Sequence, residues 1–334
     1  LLVRLEDTAA IAAAVPGGHV YVTRATVIAS LLALLPGYLV WRNFWFIRSR
    51  MRLATACGVA CTVPIATPFL SRVSRDSIEI HAIDVGQGDA IAVRSPRGRW
   101  LLIDAGPRSD RFDAGAARVV PFLLRHHARA LEVLVLTHPH LDHVGGAPAV
   151  TAILETRLLL DPDSGRGIRA ALGEAALEGA TGRWLPARPG TRVAIDGMVM
   201  EILHPTADEL GAEDANDISV VVRLGFGQFA ALFTGDAPAR IEEQLLQQYG
   251  ARLDVDLLKI GHHGSRTSTG AEWLAGSSPR YALISAGRGN RYGHPSPAVI
   301  DRLEQAGVEV FRTDRSGNIS LRAFADGRVE VFDR

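Results

Sequence analysis

THPHLDHVGG (residues 137–146) is the stretch on which the reading of this chain turns. It continues from LEVLVLT (131–137), an apolar run of strand length. Three histidines and one aspartate then fall within six residues, ahead of a Gly-Gly turn. His138 and His140 alternate by two and share a face if the backbone stays extended. Asp142 and His143 follow on the turn, where they can face a second ion. Imidazole with carboxylate suits a borderline metal such as zinc, and manganese accepts the same set with more oxygen. Polar residues that merely end a strand give a poor account of four such donors in one place.

Outward from this stretch the pattern is mixed α/β. IEIHAIDV (78–85), AIAVRS (90–95) and WLLIDAG (100–106) read as strands, and 112–127 and 144–155 read as helices. A second set follows, with MVMEILH (198–204), SVVVRLG (219–225), FAALFTGD (229–236), a helix over 238–249, and DVDLLKIGHHG (254–264). YALISAG (281–287), a helix over 296–306 and short strands at 318–323 and 328–332 complete it. Two halves, each strand-rich and then helical, predict a sandwich of sheets with helices outside. Residues 162–192, rich in Gly, Ala and Arg, carry no readable pattern.

The 334 residues leave room for one large domain or two ordinary ones, and 47% apolar with 22% charged residues excludes disorder as the default. Basic and acidic residues number 36 each, which gives no support to a protein that grips nucleic acid by charge alone, although a local basic groove remains open. Cys57 and Cys61 lie four apart in an apolar stretch and read as packing, with no disulfide framework. The chain opens on Leu1 without a secretory signal pattern, so its start reads as a cut in a longer polypeptide.

Composition changes near residue 75. Before it lie two uncharged runs, ATVIASLLALLPGYLVW (25–41) and LATACGVACTVPIATPFL (53–70). Each is just long enough to cross about 30 Å of hydrocarbon as a helix. A buried hairpin of such helices needs surrounding protein that residues 1–24 cannot supply, so two transmembrane helices are expected, with Pro64 and Pro68 the discordant residues. The segment between them, RNFWFIRSRMR (42–52), holds Arg42, Arg48, Arg50 and Arg52 beside aromatics, as a cytoplasmic loop at a membrane interface does. Arg72 and Arg75 argue the other way but are outnumbered. The expected organisation is a membrane segment over 1–76 and a folded domain over 77–334 outside the cytoplasm.

The HxHxDH pattern after an apolar strand resembles the signature of the metallo-β-lactamase superfamily. DVGQGDA (84–90), LLIDAG (101–106), LHP (203–205), LFTGD (232–236), LLKIGHHGSRTST (257–269), YGHPSP (292–297) and TDRSGNI (313–319) resemble, in order, the C-terminal domain of the ComEC/Rec2 family of DNA-uptake proteins. VPGGHVYV (15–22) and the paired spans resemble the tail of that family's membrane competence domain. The resemblance implies an αββα sandwich of the metallo-β-lactamase type preceded by the two predicted transmembrane helices. It implies two divalent metal ions, zinc or manganese, and a phosphodiesterase or nuclease that degrades the DNA strand left outside. Single-stranded DNA, the lipid membrane, the remaining competence channel and DNA-receptor proteins are the implied partners. The implied location is the bacterial inner membrane, with the hydrolase domain on the extracytoplasmic side.

Residue by residue, the resemblance adds His204 and Asp236 to the ligand set of His138, His140, Asp142 and His143. Asp236 would bridge the ions, although an Asp before a helix also serves as a cap. Of His262 and His263 only one binds readily if the strand continues, since neighbouring strand residues face opposite ways. His263 is the preferred ligand, with His262 behind it or on the substrate phosphate. Asp142, His262 and His294 are the expected catalytic group, His294 protonating the leaving oxygen. Asp104 is expected to orient a ligand histidine. Asp84, Gln87 and Asp89 are expected in a tight turn near the site, with Gly86 and Gly88 permitting close backbone approach. Lys259, Ser265, Arg266 and Arg288 could hold phosphates or remain solvated. Asn216, Asp217 and Ser219 resemble a family segment from which Ile218 departs. His126 and His127 read as a helix end, and His19 and His81 have no ligand neighbours. Hydrolysis of a phosphocholine ester, lactone or thioester, and a non-catalytic DNA-binding module, are the alternatives.

Overall fold

The computed structural model describes residues 76–163, 165–173 and 182–333. The two predicted spans, Cys57, Cys61 and His19 lie outside these residues. Among the described residues no helix is long and apolar enough to cross a membrane. The chain divides between Val73 and Ser74.

Alternating apolar residues build the sandwich. The first sheet starts with β1 (Ser77–Ala82), β2 (Ile91–Arg94) and β3 (Trp100–Ile103), and a short hairpin of β4 (Arg108–Ser109) and β5 (Phe112–Asp113) follows. It continues through β6 (Ala130–Val135), β7 (Glu155–Thr156), β8 (Leu158–Asp161) and β9 (Arg183–Pro186). The second sheet comprises β10 (Arg192–Ile195), β11 (Met198–His204), β12 (Val221–Phe226), β13 (Phe229–Phe233), β14 (Leu257–Lys259), β15 (Tyr281–Ile284) and β16 (Glu309–Arg312), hydrogen-bonded in that order. The chain then returns to the first sheet, where β17 (Ile319–Phe324) inserts between β1 and β18 (Val329–Asp333).

Within each strand the period of two sorts side chains to opposite faces. Ile78, Ile80 and Ala82 of β1 join Phe229, Ala231 and Phe233 of β13 in one apolar cluster between the sheets. Trp100 and Leu102 turn the other way, onto Val119, Phe122 and Leu123. Ala230 and Leu232 of β13 likewise pack outward, onto Ile241 and Leu245 of the helix Ala239–Tyr249 and onto Trp273. Both sheets are therefore buried on both faces, and the sequence of layers is helix, sheet, sheet, helix.

This order gathers the chemistry. β3, β6, β8 and β9 run parallel to one another, as do β13, β14, β15 and β16. Loops leaving the carboxyl ends of parallel strands collect at one rim of a sheet. The segments after β6, β13, β14 and β15 carry His138–His143, Asp236, His262–His263 and Ser285 respectively.

Two expectations are corrected. The segment 112–127 is not one helix: Phe112 and Asp113 pair with β4, and helical turns begin only at Gly115, because Pro107 and its neighbours form a hairpin that packs beside residues 141–144. The run 254–264 is not one strand either. Pairing stops at Lys259, and His262 and His263 take left-handed φ of 48° and 55° in a tight, non-helical turn. The alternation argument for choosing between those histidines therefore does not apply, and their burial and direction decide instead.

Candidate metal centre

The first half of the centre is built on Asp104, which ends β3 with φ 59°. Its carboxylate accepts the Thr137 backbone N–H at 2.8 Å and the Thr137 hydroxyl at 2.7 Å. Its Oδ2 also lies 2.8 Å from Nδ1 of His143. The loop after β6 is thus tied to β3, and His143 must point its Nε2 away from Asp104. His138 is buried, with its Nε2 3.0 Å from Nδ1 of His140, so the two histidines meet although β6 ends at Val135 and the backbone bends after it. A second tie comes from the DVGQGDA loop, where the Asp89 N–H donates to the Asp142 carbonyl at 3.3 Å. Gly88 allows that approach: at φ +144° a Cβ there would stand 2.2 Å from the same carbonyl oxygen.

The second sheet supplies Asp236 and His263. The Asp236 N–H donates to the Ser219 hydroxyl at 3.2 Å, and its carboxylate is buried. Asp236 Oδ2 lies 3.2 Å from Nε2 of His143, 3.5 Å from Nε2 of His263 and 3.7 Å from Nε2 of His262. His263 directs Nδ1 to the Ser285 carbonyl at 2.9 Å and Nε2 to within 3.4 Å of Asp142 Oδ2. Nε2 of His143 and of His263 thus face Asp142 and Asp236, whereas both Nδ1 atoms face away. His263 is buried and His262 is partly open to solvent.

This arrangement has the polarity of a cation site. Among the described residues, donor atoms of Asp89, His143, Asp236 and His263 lie within 4.8 Å of one another. Nε2 of His143, His204 and His263 and Oδ1 of Asp236 are buried without a hydrogen bond of good geometry. Buried polar atoms are rarely left so. Burial opposes charging His143, yet Asp236 and Asp104 hold its pKa well above the ordinary value. Burial likewise opposes charging His263, and Asp236 and Asp89 raise it to about 9. Asp142 is driven down to about 2, against burial, by its contact with Nε2 of His263 and by the charge of His143. Two imidazoles set among buried carboxylates, with their Nε2 atoms buried and lacking hydrogen-bond partners, make a donor set that fits divalent metal ions.

The remaining predicted residues lie at separate places. His204, at the end of β11, donates from Nδ1 to the Ser219 carbonyl, 2.7 Å away. Its Nε2 faces Glu209 Oε2 at 3.1 Å, and Thr206 clamps that carboxylate from its N–H and hydroxyl at 2.7 and 2.8 Å. Sequence reasoning passed over Glu209; its one signal was the spacing of Thr206 and Glu209, a capping box. His262 and His294 stand with ring centroids 5.7 Å apart, and burial lowers the pKa of both. Asn290 holds that loop by accepting the N–H groups of Tyr292 and His294. Asp84 forms a turn by accepting the Gly86 N–H, and Gln87 accepts the Gly287 N–H at 3.1 Å. Arg266 is exposed, whereas Ser265 is buried against Thr267. Arg288 donates to the Asp314 carbonyl, and Asp217 pairs with Arg240. Lys259 faces inward, fully buried, and does not reach the surface as a phosphate-holding residue must.

The domain that carries this centre has known relatives. The model of the metallo-beta-lactamase superfamily matches residues 83–288. The chain is similar to ComE operon protein 3 of Bacillus subtilis (strain 168), 30% identical over 82% of this chain and 37% of that protein. It is 35% identical to competence protein ComA of Neisseria gonorrhoeae over 88% of this chain and 38% of that one. It is 29% identical to recombination protein 2 of Haemophilus influenzae over 79% of this chain and 31% of that one. The chain thus spans less than two fifths of the length of these relatives.

Proposed function

The chain belongs to the metallo-β-lactamase superfamily and to the ComEC/Rec2 family within it, and from that premise we propose that its folded domain is a dinuclear metal-dependent phosphodiesterase acting on DNA. The observation that carries the reading is the inward convergence of His143 Nε2 and His263 Nε2 on the carboxylates of Asp142 and Asp236. His138, His140, His204 and Asp236 would complete the set of residues that hold the ions. When bound, a pair of zinc or manganese ions lowers the pKa of water and offsets the charge that builds on phosphoryl oxygens.

The chain's own residues do the rest. Asp104 fixes the direction of His143, and the Ser285 carbonyl fixes that of His263. Burial of His138, His143 and His263 keeps bulk water from the inner side. His262 and His294 stand at the open side, where burial lowers the pKa of both, so each is placed to take up a proton before His294 hands one on. His294 is the proposed donor to the leaving oxygen. The competence names of the relatives favour DNA as the substrate, and single-stranded DNA is the form proposed.

The test is hydrolysis by the whole chain, loaded with manganese or zinc, of single-stranded DNA, duplex DNA, a p-nitrophenyl diester and a thioester. Cleavage of single-stranded DNA that vanishes in His140→Ala and Asp236→Ala, with metal content reduced, is the expected result. Undiminished cleavage in both variants at full metal content removes the assignment, and cleavage of the thioester alone moves the substrate. The membrane segment over 1–76, and the placing of the domain outside the cytoplasm beside a competence channel, remain parts of the same proposal. Protease added outside intact cells should then remove a C-terminal tag, and a protected tag reverses the orientation.

A further inference from the structure

Lys259 closes β14 and is among the largest fully buried side chains of the described residues. Its ammonium pairs with Asp89 Oδ2, donates to the Gly235 carbonyl at 2.9 Å and lies 3.7 Å from Asp236 Oδ1. One buried cation thereby joins three segments at the centre: the DVGQGDA loop, the TGD turn and β14. Burial opposes its charge, and Asp89 and Asp236 more than compensate, so the pKa rises.

The position of Asp89 gives the pair its meaning. Asp89 Oδ1 is 3.4 Å from Nδ1 of His263, and Oδ2 is 3.8 Å from Nδ1 of His143. The Nε2 atoms of the same rings face Asp142 and Asp236. Asp89 therefore stands behind the imidazoles, on the side opposite the ligand face, although its donor atoms fall within the same 4.8 Å cluster. A carboxylate behind a ligand histidine fixes the ring and raises its basicity. One left free among those donors competes for the ion.

We infer that Lys259 is a positioning residue of the metal centre: its ion pair holds Asp89 behind His143 and His263, and its bond to Gly235 aims the Asp236 carboxylate. The inference rests on the metal centre proposed above. It assigns Lys259 no contact with substrate and no step in the reaction.

The experiment is titration of the whole chain with Mn²⁺ alone, read by calorimetry and by electron paramagnetic resonance, with circular dichroism as the check on folding. Lys259→Met strands a buried carboxylate, so Lys259→Met/Asp89→Asn, which removes the pair as a unit, accompanies it. Both are expected to bind Mn²⁺ about 10- to 100-fold more weakly. The double variant is expected to melt close to the wild type. A folded double variant with wild-type Mn²⁺ affinity overturns the inference. Should the double variant fail to fold, Asp89→Asn alone, which keeps the shape of the side chain, decides by the same two outcomes. A wild-type chain that takes up no Mn²⁺ overturns the metal centre itself, a result distinct from any difference between variants.

Discussion

Oδ2 of Asp104 lies 2.8 Å from Nδ1 of His143, so the nitrogen left for a ligand role is the one that faces Asp236. The same carboxylate takes two bonds from Thr137, the residue that begins the histidine loop. Orientation of the ligand and anchoring of its loop are therefore one device.

Asp104→Asn separates the two roles. Asn tolerates the left-handed backbone at φ 59° and keeps the shape. Its amide can present a donor to Nδ1, which would leave the His143 tautomer wrong. Metal affinity is expected to fall about 10- to 100-fold. Asp104→Ala loses the Thr137 bonds as well, at about 1–3 kcal/mol for buried donors left unpaired. Equal metal affinity in wild type and Asp104→Asn, by calorimetric titration, counts against the orienting role.

Gly88 and Gly86 make a controlled pair. Both have positive φ, +144° and +82°, but a Cβ at Gly86 meets nothing within 4 Å while one at Gly88 strikes the Asp142 carbonyl at 2.2 Å. Gly86→Ala should cost about 1–2 kcal/mol of backbone strain. Gly88→Ala should cost more, because the strained loop must also retreat from backbone beside the centre, and it should weaken metal binding too. Thermal melting and metal titration of the two variants check this; similar losses in both would mean that the close approach contributes nothing.

His81 predicts a pH dependence unrelated to the centre. It is fully buried among Trp100, Phe122, His126 and Phe332, with Nδ1 2.9 Å from the Ser320 hydroxyl. Burial, and then His126, lowers its pKa to about 3. A histidine held neutral when folded contributes stability that is full above about pH 6.5 and is lost as pH falls toward the folded value. The unfolding free energy should decline by about 1 kcal/mol per pH unit below pH 6. His81→Phe should start lower at pH 7, having lost the Ser320 bond, and show a flatter decline in urea titrations at pH 7, 6 and 5. An unchanged slope in that variant would assign the acid sensitivity elsewhere.

Much of the centre was legible because it is local or ends a strand. His138, His140, Asp142 and His143 declare themselves by spacing, and Asp104 and Asp236 are carboxylates that close apolar runs. The fold follows from apolar alternation and from the order of elements. What escaped depends on distance in the chain. Lys259 reads as a phosphate-holding or solvated cation, and its partner stays hidden because nothing local shows that Asp89, about 170 residues earlier in the sequence, comes to meet it. Glu209 sits in a segment with no periodicity, and its reach to His204 needs the fold of the loop. The turn at His262 and His263 was hidden because φ above zero is uncommon for non-glycine residues. The hairpin at Phe112 was hidden because two-residue strands leave no periodic trace.

The place of β17 beside β1 has a consequence for how this molecule comes into being. His81 and Ser320, which touch across that pairing, are separated by 239 positions in the chain. Contacts so remote in sequence form late and slowly. During synthesis the β1 edge waits without its neighbour until nearly the whole domain has left the ribosome, and a waiting edge invites misassociation. β17 and β18 thus act as the bolt on the sandwich: the domain that carries the candidate centre closes only after both strands have been translated.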